Sequence, residues 1–203
     1  MKCLANSPEY SAIILAAGFS SRMGRDKASL SWLGGRSLLE WTVEALREGG
    51  WNPIVVLGPH NHAAWGDYFP KEMLVLNPDP GRGKTSSIAT GVSVLSSSAK
   101  YILFAGVDQP RPPVVYRLLN EAAHPDRIVA PGDGAHRDHP IVVGARWRKQ
   151  LLALNEQAEG LRGLMDANRE SLARVPCDPE WLRWDCNTPD AYEAALEWFR
   201  KSA

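Results

Sequence analysis

The chain has 203 residues, and its 23 lysines and arginines balance its 23 aspartates and glutamates. A neutral chain gives no argument for a nucleic-acid or membrane partner, because both attract proteins largely through excess positive charge. We expect no membrane span and no signal peptide, since no apolar run has the required length or flanks. The three cysteines lack CxxC spacing, which favours a reducing, cytoplasmic compartment.

Apolar runs alternate with helical patterns along the chain. Predicted strands cover residues 11–17, 54–58, 73–76, 101–107, 127–130, 141–143 and 172–175. Predicted helices cover residues 37–48, 86–96, 112–123, 145–154, 161–168 and 188–201, the last with Thr188 as its N-cap. Continuous apolar strands that alternate with helices are typical of an α/β sheet covered on both faces.

A glycine-containing turn follows the first predicted strand. Glycine lets the chain turn tightly and removes the side chain that would block an anion from the backbone N–H groups. Arg22 and Lys27 add positive charge at the same place. We interpret the turn as a site for the triphosphate of a nucleotide. The alternative is a basic surface loop. The segment reads Leu15-Ala16-Ala17-Gly18-Phe19-Ser20-Ser21-Arg22-Met23-Gly24-Arg25-Asp26-Lys27.

Two further polar residues follow other strands of the predicted sheet. Asn77 comes after the third strand and Asp108 after the fourth. Open α/β sheets bind their ligands beyond the carboxyl ends of the strands. The glycine turn, Asn77 and Asp108 all follow this rule, which favours a ligand site over a surface loop.

Two other nucleotide motifs are incomplete. Gly83-Lys84-Thr85 resembles the end of a P-loop, but Pro78 stands where that motif needs a glycine and has no N–H to offer. Gly18 and Gly24 lack the G-x-G-x-x-G spacing of a dinucleotide-binding turn. We therefore expect neither a P-loop protein nor a dehydrogenase.

Residues 15–27 resemble the signature of the MobA-like nucleotidyltransferases. The resemblance implies a Rossmann-like three-layer α/β sandwich with a mostly parallel, mixed sheet, of the nucleotide-diphospho-sugar transferase type. It implies a single domain over residues 1–203, with a nucleotide-binding half at about 11–110 and an acceptor-binding half at about 111–203. The similarity continues through Asn77-Pro78, Gly83, Ser86-Ser87, Gly91, Gly106-Val107-Asp108-Gln109-Pro110, Gly134 to Pro140, Gly160-Leu161-Arg162 and Asp185-Cys186-Asn187-Thr188-Pro189.

The same resemblance implies roles for individual residues. Arg22, Lys27 and Asp108 are the expected catalytic residues, and Asp108 and Asn187 the expected Mg²⁺ ligands. His139 and Arg162 are expected to face the acceptor, although His139 could equally be structural. The expected nucleotide-binding residues are Leu15, Ala16, Ala17, Gly18, Ser20, Arg22, Lys27, Asn77, Ser86 and Ser87.

The expected reaction is attack by an acceptor oxygen on the α-phosphorus of an NTP, with pyrophosphate leaving. A phosphate monoester is already ionised near neutral pH, since its second pKa is about 6, so charge neutralisation and positioning are the main requirements. Ala17 and the Asp-Gln-Pro sequence resemble the molybdenum cofactor cytidylyltransferases, which implies CTP and molybdopterin, with a molybdoenzyme or its maturation factor as a further partner. The alternatives are a sugar- or polyol-phosphate acceptor, or a nucleotide- or cofactor-binding protein without turnover.

Three residues depart from the family pattern. Asn187 stands where many members have a second metal-binding aspartate, and an amide oxygen without charge should bind Mg²⁺ more weakly. Asp138 replaces a frequent glycine before the His-Pro pair, and Lys84 is not expected in its segment. These departures affect the identity of the acceptor more than the type of reaction.

Overall fold

One seven-stranded mixed sheet carries helices on both faces. The computed structural model describes residues 9–20, 23–132 and 139–202. The strands are β1 (Tyr10–Leu15), β2 (Asn52–Leu57), β3 (Leu74–Leu76), β4 (Tyr101–Gly106), β5 (Ile128–Pro131), β6 (Ile141–Gly144) and β7 (Leu172–Val175). The helices are α1 (Leu38–Glu48), α2 (Lys84–Val94), α3 (Pro113–Glu121), α4 (Arg148–Leu152), α5 (Gly160–Ala167), α6 (Pro179–Leu182) and α7 (Pro189–Ser202).

The strand order is β3-β2-β1-β4-β6-β5-β7. Strand β6 runs antiparallel to both of its neighbours, β4 and β5, and the other neighbouring pairs are parallel. The chain adds β2 and β3 on one side of β1 and then returns to place β4 on the other side. The carboxyl ends of β1 and β4 therefore mark the point where the winding direction reverses.

Alternate residues of each strand face opposite sides of the sheet, so each face has its own core. In β1, Ala12 and Ile14 pack in one core and Ile13 packs in the other. Residues of α1, α3, α6 and α7 complete the first core, and residues of α2, α4 and α5 complete the second. These three layers confirm the fold class expected from the sequence.

Helix α2 packs closely on the sheet at Gly91. A β-carbon at this position would lie 2.7 Å from Cγ2 of Ile13 and 3.0 Å from Cγ2 of Val56. Any larger residue would therefore push the helix away from β1 and β2. The close contact keeps the first turn of α2, which includes Lys84 and Ser87, near the carboxyl end of β1.

The predicted elements agree closely with the observed ones. All seven strands and six helices are present within two residues of the expected ends, except that residues 145–147 form a 3-10 turn ahead of α4. The oxygen of Thr188 accepts a hydrogen bond from the backbone N–H of Ala191, as expected for an N-cap of α7. Helix α6 was not predicted, because four residues are too few to show a helical period.

Among the described residues, no helix has the length and apolar character needed to cross a membrane.

We expect Ser37→Ala to lower the free energy of unfolding by about 1 kcal/mol. The Ser37 hydroxyl accepts from the N–H of Glu40 at 3.1 Å, and the Glu40 carboxylate accepts from the N–H of Ser37 at 2.8 Å, so the substitution removes half of a reciprocal cap at the start of α1. Urea unfolding measures the change, with Ser97→Ala in an exposed turn as the control. Equal stability of the two variants would contradict the prediction.

Candidate active site

The pairing of β1 with β4 brings two loops of the predicted site together. Leu15, the last residue of β1, lies opposite Gly106, the last residue of β4. The N–H of Val107 donates to the carbonyl oxygen of Leu15 at 3.2 Å, which continues the pairing past the end of the strands. The glycine turn and Asp108 therefore leave the sheet side by side at the reversal point.

A cavity of about 200 Å³ opens at this edge of the sheet. Eight of the predicted site residues line it, which places the nucleotide-binding turn and the expected metal ligand Asp108 in one crevice. Lys84 and Asp26 also line it, although no role was predicted for either. The lining residues are Leu15, Ala16, Ala17, Gly18, Ser20, Asp26, Lys27, Pro80, Gly83, Lys84, Ser87, Gly106, Val107 and Asp108.

The turn after β1 leaves its backbone accessible to a ligand. A β-carbon added at Gly18 would meet no atom within 4 Å, so packing within the protein does not require glycine there. Ser20 adopts a positive φ of 51°, and its hydroxyl accepts from the N–H of Lys27 at 3.2 Å. This hydrogen bond joins the two sides of the turn and directs Lys27 toward the crevice.

Lys27 connects the turn to two other segments. Its ammonium donates to Oδ2 of Asp108 at 2.9 Å and to Oδ1 of Asn187. The side-chain amide of Asn187 donates in turn to the Asp185 carboxylate, and the N–H of Cys186 donates to the carbonyl oxygen of Asp108 at 2.7 Å. Lys27, Asp108 and Asn187, which are far apart in the sequence, thus meet at one point.

The charge of Asp108 depends on its cationic neighbours. Burial by itself would raise the pKa of this carboxyl, but the ammonium groups of Lys27 and, at longer range, Lys84 outweigh that effect and hold its pKa below the ordinary value. The side chains of Lys27 and Asp108 are only 13% and 25% exposed, so solvent screens their attraction less than that of a surface pair. Asp108 is therefore an anion at neutral pH.

The oxygen atoms around Lys27 suit a hard divalent cation. Asp108 and Asn187 both contact a single ammonium, so their oxygens already converge on one positive charge. Carboxylate, amide and water oxygens are the ligands that Mg²⁺ prefers. No cluster of three or more His, Cys, Asp or Glu residues with metal-binding geometry occurs within the described ranges, so a divalent ion here would need further oxygens from water or phosphate.

Asn77 and Ser86 lie behind the cavity wall. The buried Asn77 amide donates to the hydroxyls of Ser86 and Ser87, each at 2.9 Å, and its oxygen accepts from the N–H of Asp79 at 3.0 Å. Only Ser87 of these residues lines the cavity. In this structure, Asn77 holds the start of α2 in place, and direct contact of Asn77 or Ser86 with a nucleotide stays a prediction.

The Gly83-Lys84-Thr85 segment does not offer an open helix terminus to a phosphate. The N–H of Thr85, in the first turn of α2, donates to the carboxylate of Glu156 at 2.7 Å. A P-loop uses such an N–H for its phosphates. The occupied N–H supports the rejection of that motif, and Lys84 instead contributes charge to the cavity.

The remaining predicted residues have different positions. Arg22 lies outside the described residues, as does residue Asp138. Arg162 is exposed on α5 beside Glu159 and Asp166, and it does not line the cavity, so its contact with the acceptor stays a prediction. The carbonyl oxygen of His139 accepts a long hydrogen bond of 3.4 Å from Arg111, while the role of its ring also stays a prediction.

Three polar residues near the site, Asn61, Asp26 and Arg111, were not predicted from the sequence. Asn61 donates to the carbonyl oxygen of Ala16 and to the carboxylate of Asp26, which braces the turn from behind. Asp26 lies inside the recognised signature and could have been noticed as an acid among cations. Arg111 is 1% exposed, and burial lowers the pKa of its guanidinium, while nearby Tyr116 and Asp185 act in the opposite direction.

The reversal-point crevice, the glycine turn and the lysine–carboxylate pair define an α/β protein of the nucleotide-binding class. The model of the MobA-like NTP transferase domain matches residues 12–174. The chain therefore belongs to the MobA-like NTP transferase family and is a nucleotidyltransferase, which confirms the resemblance seen in the sequence.

Two named relatives are similar to the chain over most of its length. The chain is 33% identical over 197 residues to the molybdenum cofactor guanylyltransferase of Xanthomonas euvesicatoria pv. vesicatoria (strain 85-10), covering 92% of this chain and 94% of that protein. It is 30% identical over 193 residues to the nicotine blue oxidoreductase of Paenarthrobacter nicotinovorans, covering 89% and 93%. Relatives of similar identity and coverage thus carry different names.

Two solved structures share the fold. One is the Mycobacterium tuberculosis rv0371c homolog from Mycobacterium sp. strain JC1, with a TM-score of 0.81, 24% identity, and coverage of 97% of this chain and 99% of that one. The other is Rv0371C from Mycobacterium tuberculosis H37Rv in complex with manganese, with a TM-score of 0.73, 20% identity, and coverage of 93% and 98%. At these identities the likeness supports the architecture alone.

The lowered pKa of Asp108 predicts a pH-dependent contribution to stability. A carboxyl whose pKa is lower in the folded state stabilises the protein above its unfolded pKa of about 3.9, and the contribution is lost as the pH falls through the folded pKa. The difference in free energy of unfolding between wild type and Asp108→Asn should therefore narrow below about pH 4. Urea unfolding at a series of pH values measures it.

The control for this experiment is Asp126→Asn, which removes an exposed partner of Arg146 and should change stability little at any pH. A wild-type advantage over Asp108→Asn that stays constant into acid would contradict the assignment.

Proposed function

We propose that the protein transfers a nucleoside monophosphate from an NTP to the phosphate group of a small acceptor, with Mg²⁺ as the cofactor and molybdopterin as the acceptor. The observation that carries this proposal is the meeting of Lys27, Asp108 and Asn187 at the edge of a cavity lined by the glycine turn. The proposed roles follow from charge. Lys27, with Arg22, binds the β- and γ-phosphates, and Asp108 with Asn187 holds the metal.

Phosphoryl and nucleotidyl transfer need positioning and charge neutralisation more than a general base. The backbone at Ala17 and Gly18 lies open at the cavity and can donate N–H groups to phosphate oxygens. A phosphorylated acceptor arrives with an ionised oxygen, so no proton must be removed from it near neutral pH. A divalent ion held by Asp108 and Asn187 would stabilise the negative charge of the phosphates.

The contacts of Lys27 suggest an exchange of partners. Its ammonium now lies between the two proposed metal ligands, so it would repel a divalent ion placed between the same oxygens. The triphosphate offers the ammonium a new anionic partner in the same crevice. We therefore propose that Lys27 moves to the triphosphate when nucleotide binds, which would leave Asp108 and Asn187 free to hold a divalent ion.

Two observations on the nucleobase favour different nucleotides. Ala17 stands where the guanylyl-transferring branch usually has glycine, which favours CTP, whereas the name of the Xanthomonas relative favours GTP. Ala17 lines the cavity, so this difference from the guanylyl-transferring branch lies in the site of this chain itself. CTP is therefore our first candidate and GTP the second.

We expect pyrophosphate release from one NTP in the presence of Mg²⁺ and molybdopterin. The test compares CTP and GTP with molybdopterin, and then with sugar and polyol phosphates, using an assay for pyrophosphate. Release with GTP alone would overturn the CTP assignment, and release with a sugar phosphate alone would overturn the acceptor. Tight nucleotide binding without release under any pair would instead support a binding protein without turnover.

Asp108→Ala should reduce pyrophosphate release by at least about 100-fold, because its role lies in holding charge at the reacting phosphates. The variant should still fold, with only the loss of stability expected from breaking the pair with Lys27. The matched control is Asp126→Ala, which removes an acid from an exposed pair far from the cavity and should leave the rate unchanged. If Asp108→Ala unfolds the protein, the residue is structural and the assignment fails.

Lys27→Met should strengthen Mn²⁺ binding to the protein without nucleotide, because it releases the oxygens of Asp108 and Asn187. The same substitution should weaken NTP binding, since it removes a cation from the phosphate site. Electron paramagnetic resonance measures free Mn²⁺ directly. Lys84→Met is the control, because it removes a cavity cation that has no described hydrogen bond to either ligand. Equal Mn²⁺ binding by wild type and Lys27→Met would refute the exchange of partners.

A further inference from the structure

Arg111 is a buried cation to which the proposed reaction assigns no role. It lies between β4 and α3 and is 1% exposed. Charged side chains are rarely buried to this extent unless they have partners, because removing a charge from water is costly. The partners of its guanidinium therefore indicate what its burial achieves.

The guanidinium contacts the backbone of three separate segments. Its Nη1 donates to the carbonyl oxygens of Pro110 at 2.9 Å and Trp184 at 2.6 Å, and its Nε donates to the carbonyl oxygen of His139 at 3.4 Å. A planar guanidinium presents donors in several fixed directions, which a lysine ammonium cannot reproduce. Arg111 thus joins these segments through a single rigid group.

Each of these segments carries a residue of the candidate active site. Pro110 follows Asp108 by two residues, Trp184 precedes Asn187 by three, and His139 belongs to the predicted acceptor segment. The hydrogen bond from Cys186 to the carbonyl oxygen of Asp108 is a second tie between two of them. The backbone is therefore held at Trp184 and at Cys186, immediately before Asn187.

We infer that Arg111 is a positioning residue that holds the side-chain oxygen of Asn187 opposite the carboxylate of Asp108. The consequence for metal binding rests on the proposed function; the positioning itself does not. Asn187 carries no charge, so it cannot attract a divalent ion as a second carboxylate would. Its contribution as a ligand depends on its oxygen being in place beforehand, and Arg111 supplies that constraint from beneath the site.

Arg111→Lys is the direct test, because it keeps the positive charge and removes the planar set of donors. The first measurement is the ¹⁵N–¹H spectrum of the free protein, in which the side-chain amide signals of Asn187 are identified by their loss in Asn187→Asp. We expect these signals to shift in Arg111→Lys more than those of other asparagine side chains. The second measurement is the Mn²⁺ concentration needed to saturate the nucleotide complex, which should rise roughly tenfold or more.

Nucleotide binding without metal should stay unchanged in Arg111→Lys, because the cavity lining does not include Arg111. Leu119→Ala is the matched control: it removes a fully buried side chain from α3 and lowers stability, but a leucine side chain makes no hydrogen bond to the three segments. We expect Leu119→Ala to move neither the Asn187 signals nor the Mn²⁺ requirement.

Unchanged Asn187 signals in a folded Arg111→Lys protein would overturn the inference. If wild type shows no nucleotide-dependent Mn²⁺ binding, the proposed function fails, and the Asn187 signals still decide whether Arg111 positions that side chain. If Arg111→Lys does not fold, Arg111→Gln, which retains an N–H donor toward Trp184, takes its place. Failure of both variants to fold would mean that Arg111 acts on stability, and this would also overturn the inference.

Discussion

The parallel pairing of β1 and β4 is the constraint on which the rest of the site depends. Because Leu15 lies opposite Gly106, the backbone leaves the sheet at the same edge after β1 and after β4, and the two loops that follow must share one crevice. The reversed direction of β6 adds a third segment to this edge, since Ile141 pairs with Phe104 near the carboxyl end of β4 and places His139 just beyond it. A parallel β6 would have delivered that segment to the opposite edge of the sheet.

A partly buried ion pair lies at the centre of this edge. Lys27 neutralises Asp108, and the neutral Asn187 completes the contacts of the ammonium without adding charge. An aspartate at position 187 would leave the site with excess negative charge in the absence of a bound cation, which burial penalises. The asparagine thus suits a protein that is stable before its proposed ligands bind, although as a proposed metal ligand it is weaker than a carboxylate.

The sequence was sufficient for most of the helices and strands, because apolar strands and amphipathic helices are local patterns. The strand order was not predicted, since it depends on pairing between segments that are distant in the chain. It was also sufficient to place Lys27, Asp108 and the glycine turn at one crevice, because they lie in one recognisable signature or directly after a strand. Their roles in the reaction stay predictions. It could not predict that Arg111, between prolines, would be buried, since that depends on two distant segments, at His139 and Trp184, meeting the segment that carries Arg111. The same reason applies to Glu156, whose contact with the start of α2 forms across 71 positions of the chain.

The composition of the cavity wall explains why the signature alone does not settle the nucleobase. Ala16, Ala17 and Gly18 line the wall with side chains no larger than a methyl group, so the polar groups that they offer are backbone N–H and C=O groups, which are the same whichever side chains they carry. Selection between a pyrimidine and a purine must then come from the space that small side chains leave and from the few polar side chains at the wall. One methyl group at Ala17 is a small difference in volume, worth about 1–3 kcal/mol in a well-packed pocket. That range is large enough to reverse a preference between two nucleotides while leaving the phosphate chemistry untouched, so relatives with this fold can differ in base and still share the reaction.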